Sequence, residues 1–198
     1  MKEIVLHVLD SSILDVNKLH QLSFLTEEDY SIIDSYQTDL GKREAAISQY
    51  FKRKYIGKYY LDNKKPKAQE THFNISHSDG LVIFAQCVEY DIGIDIENST
   101  RKIDTDIKRY VTSSEEYGSI KTDEDFFNIW VSKESLVKAI GTGIDRDIKN
   151  VPAFPLNGIK EYRGKKYYSH LIQYKDFSLS ITLCGSEDFT INIIQEEI

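Results

Sequence analysis

Cysteine, proline and long apolar runs are all scarce in this chain of 198 residues. Its two cysteines, Cys87 and Cys184, form no CxxC or CxxH pattern, and each lies inside an apolar run. Neither a zinc site nor a disulfide scaffold is expected, and a reducing cytoplasm fits such usage. The three prolines, Pro66, Pro152 and Pro155, mark no Pro/Gly/Ser-rich linker, so any two lobes must pack directly on each other. The opening MKEIVLHVLD has an apolar run broken by His7 and closed by Asp10, too short for a signal peptide or a membrane span, and it reads as a strand. Basic charge is also in deficit. A formal net charge of −7 makes the chain a poor non-specific partner for nucleic acid. With 40% apolar and 12% aromatic residues, the chain can bury one large core or two small ones and is too apolar to be disordered.

The charge is uneven. Residues 42–67 hold nine basic side chains (Lys42, Arg43, Lys52, Arg53, Lys54, Lys58, Lys64, Lys65, Lys67) against Glu44 and Asp62. A solvated helix face is the plain reading of such a run, and a polyanionic ligand such as a nucleotide is the functional one.

Periodicity predicts a strand at the start, helices over 26–36 and 41–56, and strands over 73–75, 81–88 and 92–96. His77-Ser78-Asp79-Gly80 and Glu89-Tyr90-Asp91 read as turns. The second half predicts helices over 103–110 and 123–140, the latter stopped by Gly141. Four strands follow, at 158–162, 166–174, 177–184 and 189–194, with Arg163-Gly164-Lys165 as a hairpin turn. Helices followed by antiparallel strands, twice over, predict an α+β chain of two halves, 1–97 and 98–198.

Three segments set polar groups against the local pattern. In Ile92-Gly93-Ile94-Asp95-Ile96-Glu97, strand alternation turns Ile94 and Ile96 to one face and Asp95 and Glu97 to the other, about 7 Å apart. Two carboxylates so placed repel each other unless a cation lies between them, and oxygen ligands at that spacing suit Mg²⁺. On the helix of 123–140, Glu134 and Lys138 fall in the arc of Phe127, Trp130 and Val131, apart from the small polar Asn128, Ser132 and Ser135. An i,i+4 ion pair is one account; a carboxylate with a metal or proton-transfer task is the other. Phe73-Asn74-Ile75-Ser76-His77-Ser78 runs from a strand into a hydroxyl-rich turn that can hold phosphate oxygens. Thr112-Ser113-Ser114-Glu115 reads as the capping box of a helix start.

In this order the segments resemble the 4′-phosphopantetheinyl transferases of the Sfp type. The resemblance runs through Phe73-Asn74-Ile75-Ser76-His77-Ser78, Gly93-Ile94-Asp95-Ile96-Glu97 and Arg109-Tyr110-Val111-Thr112-Ser113-Ser114-Glu115. It ends on Trp130-x-x-Lys133-Glu134-Ser135-x-x-Lys138-Ala139-x-Gly141-x-Gly143, with Lys65-Pro66 upstream. It implies a pseudo-dimer of two α+β halves with the site in the cleft between them, working as a monomer. It implies that Asp95, Glu97 and Glu134 hold Mg²⁺. Arg43, Lys65, Ser76, His77 and Lys138 would grip the phosphates of coenzyme A, and Glu134, Lys138 and Asp95 would act in catalysis. A serine of an apo-acyl or peptidyl carrier protein would attack the β-phosphorus of coenzyme A and expel 3′,5′-ADP. A Mg²⁺-dependent phosphohydrolase needs the same three carboxylates without a protein acceptor, and a non-catalytic relative would only bind coenzyme A or the carrier.

Overall fold

The computed structural model describes residues 2–62, 65–143, 147–185 and 187–198, with the side chains of 61–62 and 65–67 also outside that description. In chain order the elements are β1 (Lys2–Asp10), α1 (Glu27–Asp34), α2 (Asp39–Phe51), β2 (Tyr60–Asp62), β3 (Lys65–Lys67), β4 (His72–Ser78), β5 (Leu81–Cys87) and β6 (Ile92–Asn98). There follow α3 (Thr105–Val111), α4 (Ser114–Ser119), α5 (Asp123–Ile140), β7 (Gly158–Tyr162), β8 (Lys165–Tyr174), β9 (Phe177–Cys184) and β10 (Phe189–Gln195). The class is mixed α+β.

Strand alternation builds two four-stranded sheets. The first has the order β10-β1-β5-β4 and the second β6-β9-β8-β7, while β2 and β3 form a separate ribbon. The sheets share one apolar core. Ile4, Leu6 and Val8 of β1 and Ile83 and Ala85 of β5 meet Ile92, Ile94 and Ile96 of β6 and Ile181 and Leu183 of β9. The other face of the first sheet offers Leu9, Phe73, Val82 and Phe84, which α2 covers with Ala46, Ile47 and Phe51.

Strand pairing crosses the expected division at 97/98 in both directions. β6, which closes the first half in sequence, pairs with β9 of the second, and β10 returns to lie parallel to β1 in register Lys2↔Phe189. Alternation marks a strand but says nothing of its neighbour, so sequence reading could not find this exchange.

Turns follow their chemistry. Asp79-Gly80 and Arg163-Gly164 each close a two-residue hairpin with both residues at positive φ, 46° and 89° in the first and 50° and 73° in the second. The first departs from expectation. The β4–β5 ladder runs on to Ser78↔Leu81, so Ser76 and His77 lie in a strand and not in a turn. As successive strand residues they face opposite ways.

α5 matches the expected helix and is closed by Gly141 at φ 83°. It is buried nearly all round, including Ser132 and Ser135, which the helical wheel had set apart from the apolar arc. The small polar side chains meet a stripe of hydroxyls on β9: Ser135 bonds Ser180 (2.9 Å) and Thr182 (2.8 Å), and Ser178 donates to Asn128 (2.7 Å). Paired hydroxyls can be buried without penalty, and their small size lets the helix sit low on the sheet. It sits lowest at Gly93, where a Cβ would lie 2.0 Å from the carbonyl oxygen of Ser135 and 2.3 Å from the amide nitrogen of Ala139.

Gly93→Ala must therefore lift α5 off β6, and a loss of about 3 kcal/mol or more is expected in urea unfolding. Gly118→Ala, in α4 with nothing within 4 Å of the added Cβ, should be neutral or gain up to about 1 kcal/mol. An unaltered midpoint for Gly93→Ala would contradict the close approach.

Candidate active site

β4 and β6 run side by side at the junction of the two sheets, joined by side chains instead of a backbone ladder. Asn74 Oδ1 accepts from the Ile94 amide (3.3 Å), Ser76 Oγ donates to Asp95 Oδ1 (2.8 Å), and Ser78 Oγ donates to Glu97 Oε2 (2.7 Å). The alternate residues Asn74, Ser76 and Ser78 thus hold the acidic pair of β6 from one flank. From the other flank, the descent of α5 onto Gly93 brings Glu134 and Lys138 over the same strand. Lys138 Nζ donates to Asp95 Oδ1 (2.6 Å) and to Ser76 Oγ (2.9 Å).

The electrostatics are those of crowded carboxylates. Asp95 is 5% and Glu134 4% exposed. Burial pushes the Glu134 carboxyl up to about 7, and the neighbouring Asp95 and Glu97 push in the same direction against Lys138. Burial also raises Asp95, outweighing Lys138 and Ser76. Asp95 Oδ2 and Glu134 Oε1 are buried without a hydrogen-bond partner. Orphaned anionic oxygens of this kind mark a place where a cation is wanted. Three carboxylates, two of them with a free oxygen, are a donor set that fits a hard divalent ion. Among the described residues, however, no three Asp, Glu, His or Cys side chains converge as a ready metal cage. Glu97 is instead held by Arg101, and Asp95 by Lys138.

Of the residues picked out from sequence, Ser76, Asp95, Glu97, Glu134 and Lys138 come together. His77 faces the other way, toward α2, where its Nδ1 lies 3.0 Å from Glu44 Oε2. Glu44 also accepts from the Gly80 amide (2.8 Å), and the adjoining Arg43 has a buried Nε without a partner. Lys65 is in β3 and its side chain lies outside the described residues. Part of the basic run is internal scaffolding: Arg53 grips Asp29 with two nitrogens (3.0 and 3.1 Å), and Lys54 pairs with Glu196 (2.6 Å).

The capping box lies one residue beyond its expected place. Ser113 is the N-cap of α4 and its partner is Glu116, not Glu115, because Thr112 turns its hydroxyl back to the Lys108 carbonyl. Glu116 is buried and does more than cap. It pairs with Lys133 (2.8 Å), and Lys133, wholly buried, also donates to the carbonyls of Ile148 (3.1 Å) and Val151 (2.8 Å). The Lys133 of the K-E-S motif is thus a strut that ties α4 and 148–151 to α5, a role the sequence reading did not give it. The S/T-x-x-E match at 113–116 was the available signal. Lys160, 1% exposed, stands behind it and donates to Ser132.

The family model described as the 4′-phosphopantetheinyl transferase superfamily matches residues 91–191, and the chain belongs to that superfamily. It is 31% identical over 161 residues to the 4′-phosphopantetheinyl transferase gsp of Aneurinibacillus migulanus, covering 72% of this chain and 63% of the relative. It is also 39% identical over 85 residues to Sfp of Bacillus subtilis, covering 40% of this chain and 37% of the relative. The chain therefore aligns with less than two thirds of the length of either relative.

The two buried lysines should respond oppositely to replacement. Lys133→Met leaves the Glu116 carboxylate buried without its cation and should cost about 3–5 kcal/mol. Burial holds the Lys160 ammonium at about 7, far below its unfolded value. The folded state therefore binds fewer protons, and this group's contribution rises with pH between about 7 and 10.4. Lys160→Met should stabilise by about 1–3 kcal/mol at pH 7, with the gain shrinking towards pH 10. Denaturant midpoints across that range check both signs.

Proposed function

We propose that this chain transfers 4′-phosphopantetheine from coenzyme A to a serine of an apo-acyl or peptidyl carrier protein, releasing 3′,5′-ADP, in the cytoplasm. The observation that carries the reading is the pair of buried, unpartnered carboxylate oxygens, Asp95 Oδ2 and Glu134 Oε1, beside the Lys138–Asp95 contact inside the matched family region.

Asp95, Glu97 and Glu134 would hold Mg²⁺, which when bound neutralises the pyrophosphate and the leaving nucleotide. Lys138 moves its ammonium from Asp95 to a phosphate oxygen and supplies positive charge where negative charge develops. Glu134 accepts the proton of the carrier serine, directly or through a water. Ser76 stays on the Asp95 side of β4 and keeps that carboxylate oriented, while His77 and Arg43, on the α2 side, reach the nucleotide phosphates together with Lys65. The two sheets with their helices act as the halves of a pseudo-dimer, so a monomer suffices.

Incubation with coenzyme A, Mg²⁺ and a panel of apo-carriers should add the mass of one phosphopantetheine group to a carrier. Phosphoester cleavage without any acceptor would favour a phosphohydrolase. Asp95→Ala and Glu134→Ala should lower transfer by at least about 10²-fold while the fold persists; a fully active Glu134→Ala protein would end the metal assignment.

Arg43→Ala and Lys65→Ala should raise KM for coenzyme A more than for dephospho-coenzyme A, which lacks the 3′-phosphate. Lys54→Ala, by contrast, removes the partner of Glu196 and should alter stability before KM. Equal small KM effects at all three positions would leave the basic run without a binding task.

A further inference from the structure

The carboxylates of the site already have cations of their own. Lys138 Nζ lies 2.6 Å from Asp95 Oδ1, and the Arg101 guanidinium donates to Glu97 Oε2. Arg101 sits in the segment after β6, four residues beyond Glu97. Its Nε donates to the Asn98 carbonyl (3.3 Å), its head lies 5.2 Å from the centre of the Phe127 ring on α5, and Asp79 is 4.0 Å away. That is a seated side chain, yet it is 42% exposed and can leave for water without breaking the core.

The reason for these contacts is electrostatic. Three carboxylates sharing a largely buried corner repel one another, and without cations the corner would oppose folding. With Arg101 and Lys138 in place and all three carboxylates ionised, the five groups sum to one negative charge. A divalent ion added while both remained would turn the cluster positive and would find Asp95 Oδ1 and Glu97 Oε2 already engaged.

We infer that Arg101 and Lys138 are resident counter-cations, and that a divalent metal enters by exchange: Arg101 releases Glu97 to solvent, and Lys138 releases Asp95. The inference rests on the metal assignment proposed above and adds a residue, Arg101, whose charge sets metal affinity by competition. It also accounts for a site with the right ligands and no ready cage among the described residues. The metal-free cluster is drawn onto its own cations, and Oδ2 of Asp95 and Oε1 of Glu134 remain as the open anchor atoms.

The experiment is Mn²⁺ binding, followed by electron paramagnetic resonance and calorimetry on the full chain without coenzyme A. Arg101→Gln should lower the Kd for Mn²⁺ by about three- to tenfold, since an ion pair at this exposure is worth up to roughly 1 kcal/mol and a repulsive charge is removed with it. Metal-free Arg101→Gln should melt below the parent protein and gain more than it on addition of Mn²⁺. Arg101→Lys keeps the charge and should keep the Kd near that of the parent. Lys102→Gln, a neighbouring lysine 93% exposed and paired with Asp123, should shift it less than about twofold. An unchanged or higher Kd in Arg101→Gln overturns the exchange while leaving the metal assignment intact. Absence of Mn²⁺ binding in the parent and in every variant overturns both.

Discussion

The approach of α5 to β6 at Gly93 is the contact on which the site depends. A helix normally stands off a sheet by the thickness of two layers of side chains. Here one layer is missing, because Gly93 has none and the facing Ser135 and Ala139 are small, so backbone meets backbone. The gain is reach. Glu134 and Lys138 bring their carboxylate and ammonium to strand level, where Lys138 bonds Asp95 two residues beyond the glycine. The hydroxyl stripe of Ser178, Ser180 and Thr182 on β9 serves the same end, giving the helix a low floor whose polar atoms are satisfied.

α5 separates two sets of buried charge that differ in kind. On one side Glu116 is matched by Lys133, and the ammonium is further met by backbone carbonyls, so the set is closed and its task is to fix α4 and 148–151. On the other side the negative charges outnumber their partners and two oxygens are left over. Closed ion pairs define a shape, whereas unbalanced ones store a demand for a ligand. The adjacent residues Lys133 and Glu134 fall one into each set, which is why a two-letter motif carries both a structural and a chemical part.

Much of this was legible in the sequence because period and turn chemistry are local. The alternation of Ile94 and Ile96 against Asp95 and Glu97, the span of α5 and its glycine stop, and the Arg163-Gly164 hairpin all follow from neighbours a few residues apart. The carboxylates of β6 and the Glu134–Lys138 turn were marked by polar groups where apolar ones were due. What was not legible needed partners distant in the chain. Ser76 looked like part of a phosphate-binding turn because its register with Leu81–Cys87 cannot be read from Phe73–Ser78 alone. Ser132 and Ser135 looked like a polar arc because their partners, Ser180, Thr182 and Lys160, lie on strands far along the sequence. Glu116 was passed over for Glu115 because two overlapping S/T-x-x-E frames fit, and only the backward bond of Thr112 decides between them.

The exchange of β6 and β10 between the sheets bears on how the chain is made. The strand that pairs with one edge of β1 is separated from it by 187 positions, so on the ribosome the first sheet waits, one edge bare, until all four strands of the second have been synthesised. The second sheet draws all four of its strands from the one stretch 92–184, whereas the first takes β1, β4 and β5 from before that stretch and β10 from after it. The second sheet with α5 can therefore close ahead of the first, and the acidic corner, which needs β4 beside β6 and α5, forms as the first sheet docks on that finished unit.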